Sequence, residues 1–274
     1  MHIIFMTDLD GTFIGHDDFS FDAISAEVFD LIRNGINLIP NSSKTANEID
    51  ELCVELGLCL PFICENGAAL INSDLLIDRW PYVTDKKANK TFTPSELAHE
   101  WEHSVVSNHK NCCIFLENLS SKEHAAILGL SAEKLALALN REYSSLLIFE
   151  GSESQYTELC QDVSRAGLAL HRGGRVCNLS GAHDKADYCN GFRATVGNQQ
   201  DTVIVGFGDS DNDTALLEAS DIACIIPKPD GSKLALANPP NNLVIAEHSA
   251  PLGWLDAARC ALSIIHNTYG VSHG

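Results

Sequence analysis

Positive charge is scarce in this chain. Its 274 residues hold 18 lysines and arginines against 37 aspartates and glutamates, a formal charge of −19. Nucleic acid and anionic membrane surfaces are gripped by basic patches, so neither is expected as a partner. The shortage also poses a problem, because an anionic ligand would need cations collected locally at its site. Long apolar runs are missing too, and none approaches the roughly 20 residues of a membrane-spanning helix. The N-terminal stretch lacks a basic segment, an apolar core and a small-residue cleavage site, so the expected compartment is the cytoplasm. The ten cysteines include no C-x-x-C spacing, and the nearest pair is the adjacent Cys112–Cys113. Most of the others, such as Cys53, Cys64, Cys177 and Cys224, lie in apolar runs. They are expected to be small buried hydrophobes in a reducing compartment, not a disulfide framework or a zinc site. There is no internal repeat, low-complexity tract or long linker, and nothing in the pattern specifies an oligomeric state.

What is present alternates. An apolar strand HIIFMT (2–7) precedes a helical pattern from about Asp22 to Asn34, with Ile24, Val28, Leu31 and Ile32 on one face and Gly35 as its stop. INLIP (36–40) predicts a second strand, 44–57 a second helix, and PFIC (61–64) a third strand. Short apolar strands separated by amphipathic helices predict a parallel sheet wrapped by helices. From about Thr84 to Gly181 the style changes, with helical patterns at 94–107, 131–143 and 153–166 and strands at 112–116, 146–150 and 175–179. The alternation then resumes with a helix from Asp184, a strand at 202–208, a helix from Asp211 and a strand at 221–226. The expected fold class is therefore α/β. A Rossmann-like parallel-sheet core is formed by residues 1–83 and 182–274, and an α+β unit over 84–181 is inserted into it.

Four short segments stand at the ends of predicted core elements: DLDGT (8–12), NSSKT (41–45), DKADY (184–188) and GDSDND (208–213). Ligands of open parallel sheets bind beyond the carboxyl ends of strands, so the sheet would gather Asp8, Ser42 and Asp209 into one crevice. The residue types suit phosphoryl transfer. A carboxylate nucleophile splits hydrolysis into two easier steps, and a second carboxylate two residues on can move the proton. Mg²⁺ takes a few carboxylates together with water and phosphate oxygens, which suits Asp8, Asp209 and a backbone carbonyl. Gly11 allows a tight turn that aims amides at an anion. Ser42 offers a hydroxyl, and Lys185 offers a fixed positive charge.

With these four motifs in this order, the chain resembles the haloacid dehalogenase superfamily of phosphatases. The resemblance implies Asp8 as nucleophile, Asp10 as acid/base, and Gly11, Ser42, Ser43 and Lys185 around the phosphate. It implies metal ligation among Asp8, Asp10, Asp209 and Asp213, with Mg²⁺ as cofactor and Asn212 in support. The segments SSKT (42–45), PFICENGAAL (61–70), HRGGRVCNLSG (171–181) and DKADY also resemble the mannosyl-3-phosphoglycerate phosphatases within that superfamily. This narrower likeness implies a small phosphorylated glycoside as substrate, most closely mannosyl-3-phosphoglycerate, with the insert acting as a specificity cap. Lys44, Glu65, Asn66, Arg172 and Arg175 are then the expected substrate contacts. Two departures are Ser42 where some relatives have threonine, and Ala186 after the lysine where many have glycine. A glucosyl-3-phosphoglycerate or other sugar-phosphate phosphatase, and a phosphosugar mutase, are alternatives that share the chemistry.

Three decoys compete. GDSDND opens like a calcium loop, but Thr214 occupies the position that needs glycine and Ser220 the one that needs glutamate. GFGDSD is a dinucleotide fingerprint with Asp211 in place of its third glycine. HEWEH (99–103) satisfies the zinc-protease pattern with His99, Glu100 and His103. However, Leu97, Trp101 and Val105 predict an ordinary amphipathic helix there, with no third ligand nearby.

Overall fold

The computed structural model describes residues 1–16, 19–76, 80, 86–88, 91–173, 175–194 and 202–270. The expected boundary near Thr84, and Gly174, lie outside them. Five strands form a parallel sheet in the order β12-β11-β10-β1-β2. They are β1 (His2–Thr7), β2 (Asn37–Pro40), β10 (Thr202–Gly208), β11 (Ile222–Ile225) and β12 (Asn242–Ile245). The central pair, β1 and β10, runs in register from His2 opposite Thr202 to Thr7 opposite Phe207. Alternate residues serve opposite faces. Ile3, Phe5, Val203 and Val205 join one apolar cluster, and Ile4, Met6 and Ile204 another. Covering helices are α1 (Ser25–Arg33), α2 (Ala46–Glu55), α7 (Cys189–Ala194), α8 (Thr214–Ala219) and α9 (Leu252–Tyr269). Trp254 of α9 sits edge-on to Phe5 and Phe13 and gives its indole N–H to Thr7 Oγ1 at 3.1 Å. That bond fixes the end of β1 directly before Asp8.

The predicted third strand departs from expectation. β3 (Phe62–Cys64) touches the main sheet through one bridge, Asn41 to Ile63, and then pairs antiparallel with β4 (Ala69–Ile71). β4 in turn pairs with the short β5 (Lys86–Lys87). The cause is the turn between β3 and β4, where Glu65, Asn66 and Gly67 all hold positive φ, at 46°, 59° and 98°. Such φ values are unusual for residues with a side chain. At Gly67 there is no room for one, since a Cβ would lie 1.9 Å from the Asp184 carbonyl oxygen. The helix expected from Asp184 also starts late, at Cys189. Asp184 takes the Ala186 amide with its own carboxylate at 2.7 Å, a side-chain turn that competes with helix.

Residues 113–181 contain a second, antiparallel sheet in the order β6-β7-β9-β8. Its strands are β6 (Cys113–Phe115), β7 (Ser144–Phe149), β8 (Leu168–Arg172) and β9 (Cys177–Gly181). On one face lie α3 (Pro94–His103) and α6 (Glu153–Arg165), whose Leu97, Trp101, Leu159 and Val163 bury against Leu147 and Leu179. At its flank, α4 (Ser121–Leu128) and α5 (Ala132–Leu139) close a smaller cluster with Leu146. The other face carries the cross-strand row Leu146, Asn178, His171 and looks onto the carboxyl ends of the core strands. HEWEH therefore sits in a half-buried helix with Trp101 inward. His99 and His103 stack on each other at 4.2 Å on its exposed side, and His103 Nδ1 bonds the His99 carbonyl. All ten cysteines are free, and Cys59 and Cys260 are exposed where burial was the general expectation. Among the described residues, no helix is long and apolar enough to cross a membrane.

Candidate active site

The sheet delivers its acidic motifs to one place. Asp8 follows β1 and gives its amide to Phe207 of the neighbouring strand at 3.0 Å; Asp209 follows β10. Asp8, Asp209 and Asp213 bring carboxylate oxygens within 4.8 Å of one another, the one such set found among the described residues. All three are buried. Lys185, with no exposed surface, reaches in from the 184–188 turn and donates to Asp8 Oδ1 and Asp213 Oδ1, both at 2.6 Å. Asn41 Nδ2 holds that turn through the Lys185 carbonyl at 2.8 Å.

The electrostatics leave the cluster short of positive charge. Burial alone would lower the pKa of Lys185, but Asp213 and Asp8 outweigh it and hold the ammonium firmly protonated. One cation does not balance three carboxylates. Burial, with Asp213 and Asp209 nearby, pushes Asp8 well above its ordinary value despite Lys185. Burial and Asp213 push Asp209 up to about 6. Removing water strengthens such repulsion. A divalent cation fits this arrangement, because it would relieve the excess negative charge that the protein itself leaves.

Asp213 has its oxygens engaged: Oδ1 by Lys185, and Oδ2 by the amides of Asp209 and Ser210 at 3.0 and 3.1 Å. Asp10 stands outside this close carboxylate set. Its Oδ2 pairs with Lys44 at 2.8 Å, while its buried Oδ1 has no hydrogen-bond partner. Burial would lower the pKa of Lys44, but Asp10 and Glu48 raise it. Gly11, at φ 78°, lets the loop close over Asp209; a Cβ there would come within 3.3 Å of Asp209 Oδ2. Thr12 Oγ1 donates to Asp209 Oδ1 at 3.2 Å.

The 42–45 loop is held from several sides. Ser42 gives its amide to Ile63 and takes the Asn66 amide, and its buried hydroxyl accepts the Lys44 amide at 3.3 Å. Thr45 caps α2 reciprocally with Glu48, a capping box. Asn66 Oδ1 accepts from Asn212 at 3.1 Å, which links the 65–67 turn to the fourth motif.

Glu65 differs from expectation. It is 1% exposed and its carboxylate accepts the amides of Glu142 and Tyr143 and the hydroxyl of Ser144. It fastens the inserted unit to the core and does not reach the cavity. Arg141, beside it, donates to the Ser43 carbonyl through both terminal nitrogens, at 3.2 and 3.1 Å.

Between the core strand ends and the inserted sheet lies a cavity of about 700 Å³. Asp8, Asp10, Asp209 and Asn66 line its floor. Lys44, Arg141, Arg172, Arg175, Lys228 and Lys233 line its walls, together with Ser43, His171, Asn178 and Asn212. Among the described residues, six lysines and arginines face this one hollow and five acids share it. This is the local positive charge that the composition demanded. Arg172 is already occupied: Glu153 accepts two bonds from Nη1, at 2.6 and 2.8 Å, and the guanidinium stacks 3.9 Å over Tyr156. Arg175 gives one N–H to the Leu128 carbonyl. Arg141, Lys228 and Lys233 were not singled out from the sequence; His171 and Asn178 lie within the HRGGRVCNLSG segment (171–181) but were given no role there. The register of the inserted sheet and the path of the 227–236 loop bring them here.

A family model described as haloacid dehalogenase-like hydrolase matches residues 5–228. A protein of Methanococcoides burtonii named glucosyl-3-phosphoglycerate/mannosyl-3-phosphoglycerate phosphatase is 30% identical over 266 residues, covering 93% of this chain and 95% of its own. A protein of the same name from Persephonella marina is 27% identical, covering 92% and 94%. A solved phosphatase of the haloalkanoate enzyme superfamily from Bacteroides thetaiotaomicron superposes with a TM-score of 0.65 at 15% identity, covering 97% of this chain and 96% of its own.

Proposed function

Because the chain belongs to the haloacid dehalogenase-like hydrolases, we propose that it is a Mg²⁺-dependent phosphatase of glycosyl-3-phosphoglycerates. Mannosyl-3-phosphoglycerate is the first candidate substrate and its glucosyl counterpart the second. The observation that carries this reading is the buried Asp8–Lys185–Asp213–Asp209 cluster opening onto a cavity that concentrates cations. Residues 1–83 and 182–274 act as the catalytic core and residues 84–181 as the specificity cap. Asp8 Oδ1 is tied to Lys185, so Oδ2 is the attacking oxygen. As it bonds to phosphorus, the ester P–O bond breaks and the leaving alkoxide takes a proton from Asp10. Asp10 then removes a proton from water, which attacks the aspartyl phosphate and frees Asp8. Lys44 holds Asp10 in place through Oδ2 and leaves Oδ1 for the proton. Asp8 and Asp209, with Asp213 behind them, would hold Mg²⁺, which supplies positive charge to the phosphate oxygens.

The glycerate part carries a carboxylate, and an arginine fork matches that shape. Arg172 already holds Glu153, so Arg175 is the clamp. Arg175→Ala is expected to raise KM for the glycosyl-phosphoglycerate by about 1.5–3 kcal/mol of lost charged hydrogen bonding, with hydrolysis of an aryl phosphate unchanged. A parallel fall on both substrates would place Arg175 in the fold or at the phosphate. The reading as a whole is tested by phosphate release from a panel of mannosyl- and glucosyl-3-phosphoglycerate, hexose phosphates and an aryl phosphate. Activity should vanish with chelator and return with Mg²⁺. Transfer of phosphate between positions of one sugar without release would make the protein a mutase. Preference for a simple hexose phosphate would remove the glycerate from the proposal.

A further inference from the structure

Two polar side chains on the cap wall take no part in phosphoryl transfer. Asn178 of β9 and His171 of β8 stand directly opposite each other, with Leu146 of β7 next in the row. All three face the cavity. Asn178 is 5% exposed, yet neither its Nδ2 nor its Oδ1 has a hydrogen-bond partner, and His171 Nε2 has none either. Buried polar groups are almost always matched, because an unmatched one is costly. Three unmatched atoms side by side on a cavity wall point to a ligand that matches them.

We propose that Asn178 and His171 form a hydroxyl-reading subsite that binds the sugar ring of the glycosylated phosphoester. This rests on the phosphatase reading above and adds the residues that select the glycoside. The cations of the cavity suit the phosphate and carboxylate, whereas this pair offers neutral groups. An amide side chain presents a donor and an acceptor together, and a hydroxyl is both. A carboxylate or phosphate at the same spot would satisfy Nδ2 but press its charge against Oδ1. His171 is also a neutral partner: burial, with His183 next to it, holds its pKa below the ordinary value. Its Nε2 is the unmatched atom, and in a neutral imidazole it can accept from a substrate hydroxyl. Leu146 gives the ring an apolar surface to lie on.

The test is Asn178→Leu, which keeps the branched four-atom skeleton and removes both polar atoms, assayed on three phosphoesters. Expected is a ten- to hundredfold fall in kcat/KM for the glycosyl-3-phosphoglycerate. 3-Phosphoglycerate, which keeps the phosphate and carboxylate but has no sugar, should change less than about twofold as substrate or competitive inhibitor. So should 4-nitrophenyl phosphate. Asn178→Asp, which keeps shape and polarity but loses the donor, should show the same selectivity, so a folding defect in the leucine variant would not hide the result. An equal fall on all three, or no change on the glycoside, overturns the subsite. Should the wild type prefer hexose phosphates, the substrate reading falls, and the same contrast between hexose and aryl phosphate still decides the subsite.

Discussion

Asp8→Asn is expected to abolish phosphatase turnover while leaving a protein at least as stable as the parent. The carboxamide keeps an oxygen to accept from Lys185, now at 2.6 Å, and keeps the volume. It cannot form a useful bond to phosphorus. Loss of a covalent nucleophile is felt at about 10⁴–10⁶-fold in kcat. The stability arm follows from charge. The pKa of Asp8 is raised in the folded protein by burial and by Asp213 and Asp209, so its ionised form is disfavoured there relative to the unfolded chain. By linkage, that ionisation costs stability once the pH rises above the unfolded value, ordinarily 3.8, and costs nothing well below it. In metal-free buffer the variant should therefore melt above the wild type at pH 7, with the gap closing toward pH 4. Melts on chelated protein and phosphate release with contaminating phosphatase excluded test both arms. Turnover within tenfold of wild type would remove Asp8 as the nucleophile.

Lys185→Met should do the opposite to stability and the same to activity. The wild-type ammonium is fully buried between two carboxylates, and its removal leaves them facing each other with no cation. Deleting one partner of a buried charge pair costs about 3–5 kcal/mol. At the scale of a few degrees per kcal/mol for a chain of this size, the melting point falls by roughly 10 °C. The raised pKa of Lys185 means its contribution is complete below the unfolded lysine value and is lost only above the folded one. The wild type should thus show no lysine-linked change between pH 5 and 9. In the variant, acid protonates the stranded carboxylates and the deficit shrinks. Turnover is lost because Asp8 is neither charged nor aimed. Thermal melts at pH 5 and pH 8, with and without Mg²⁺, separate the cases. A deficit independent of both pH and Mg²⁺ would mean that Lys185 serves packing, not charge.

The legible parts of this molecule were those where one physical demand dominates. β1 and β10 are buried along almost their whole length and end at acidic pairs, so strand and site were visible together. Lys185 was legible as a candidate but not as a fully buried one, because Asp184 diverts the backbone into a turn where the pattern suggested helix. Glu65 looked like a substrate contact because it borders Asn66 and Gly67. Three positive φ values swing its carboxylate toward residues 142–144, which no local pattern announces. In the same way β12, half exposed, and α4 and β8 in the inserted unit lacked a strong period. Asn178 lies inside the HRGGRVCNLSG segment, but the segment gave it no role; its strand pairing with His171 and Leu146 does.

The fastening of the inserted unit has a mechanical side. Glu65 grips residues 142–144 and Arg141 grips the Ser43 carbonyl. Both anchors lie on the loops that also carry Ser42, Lys44 and Asn66. Lifting the roof of the cavity must either break these bonds or drag those loops with it. A movement of the inserted unit that kept these bonds would carry Ser42, Lys44 and Asn66 along, while Asp8, held at the end of β1 by Phe207 and Lys185, would stay behind.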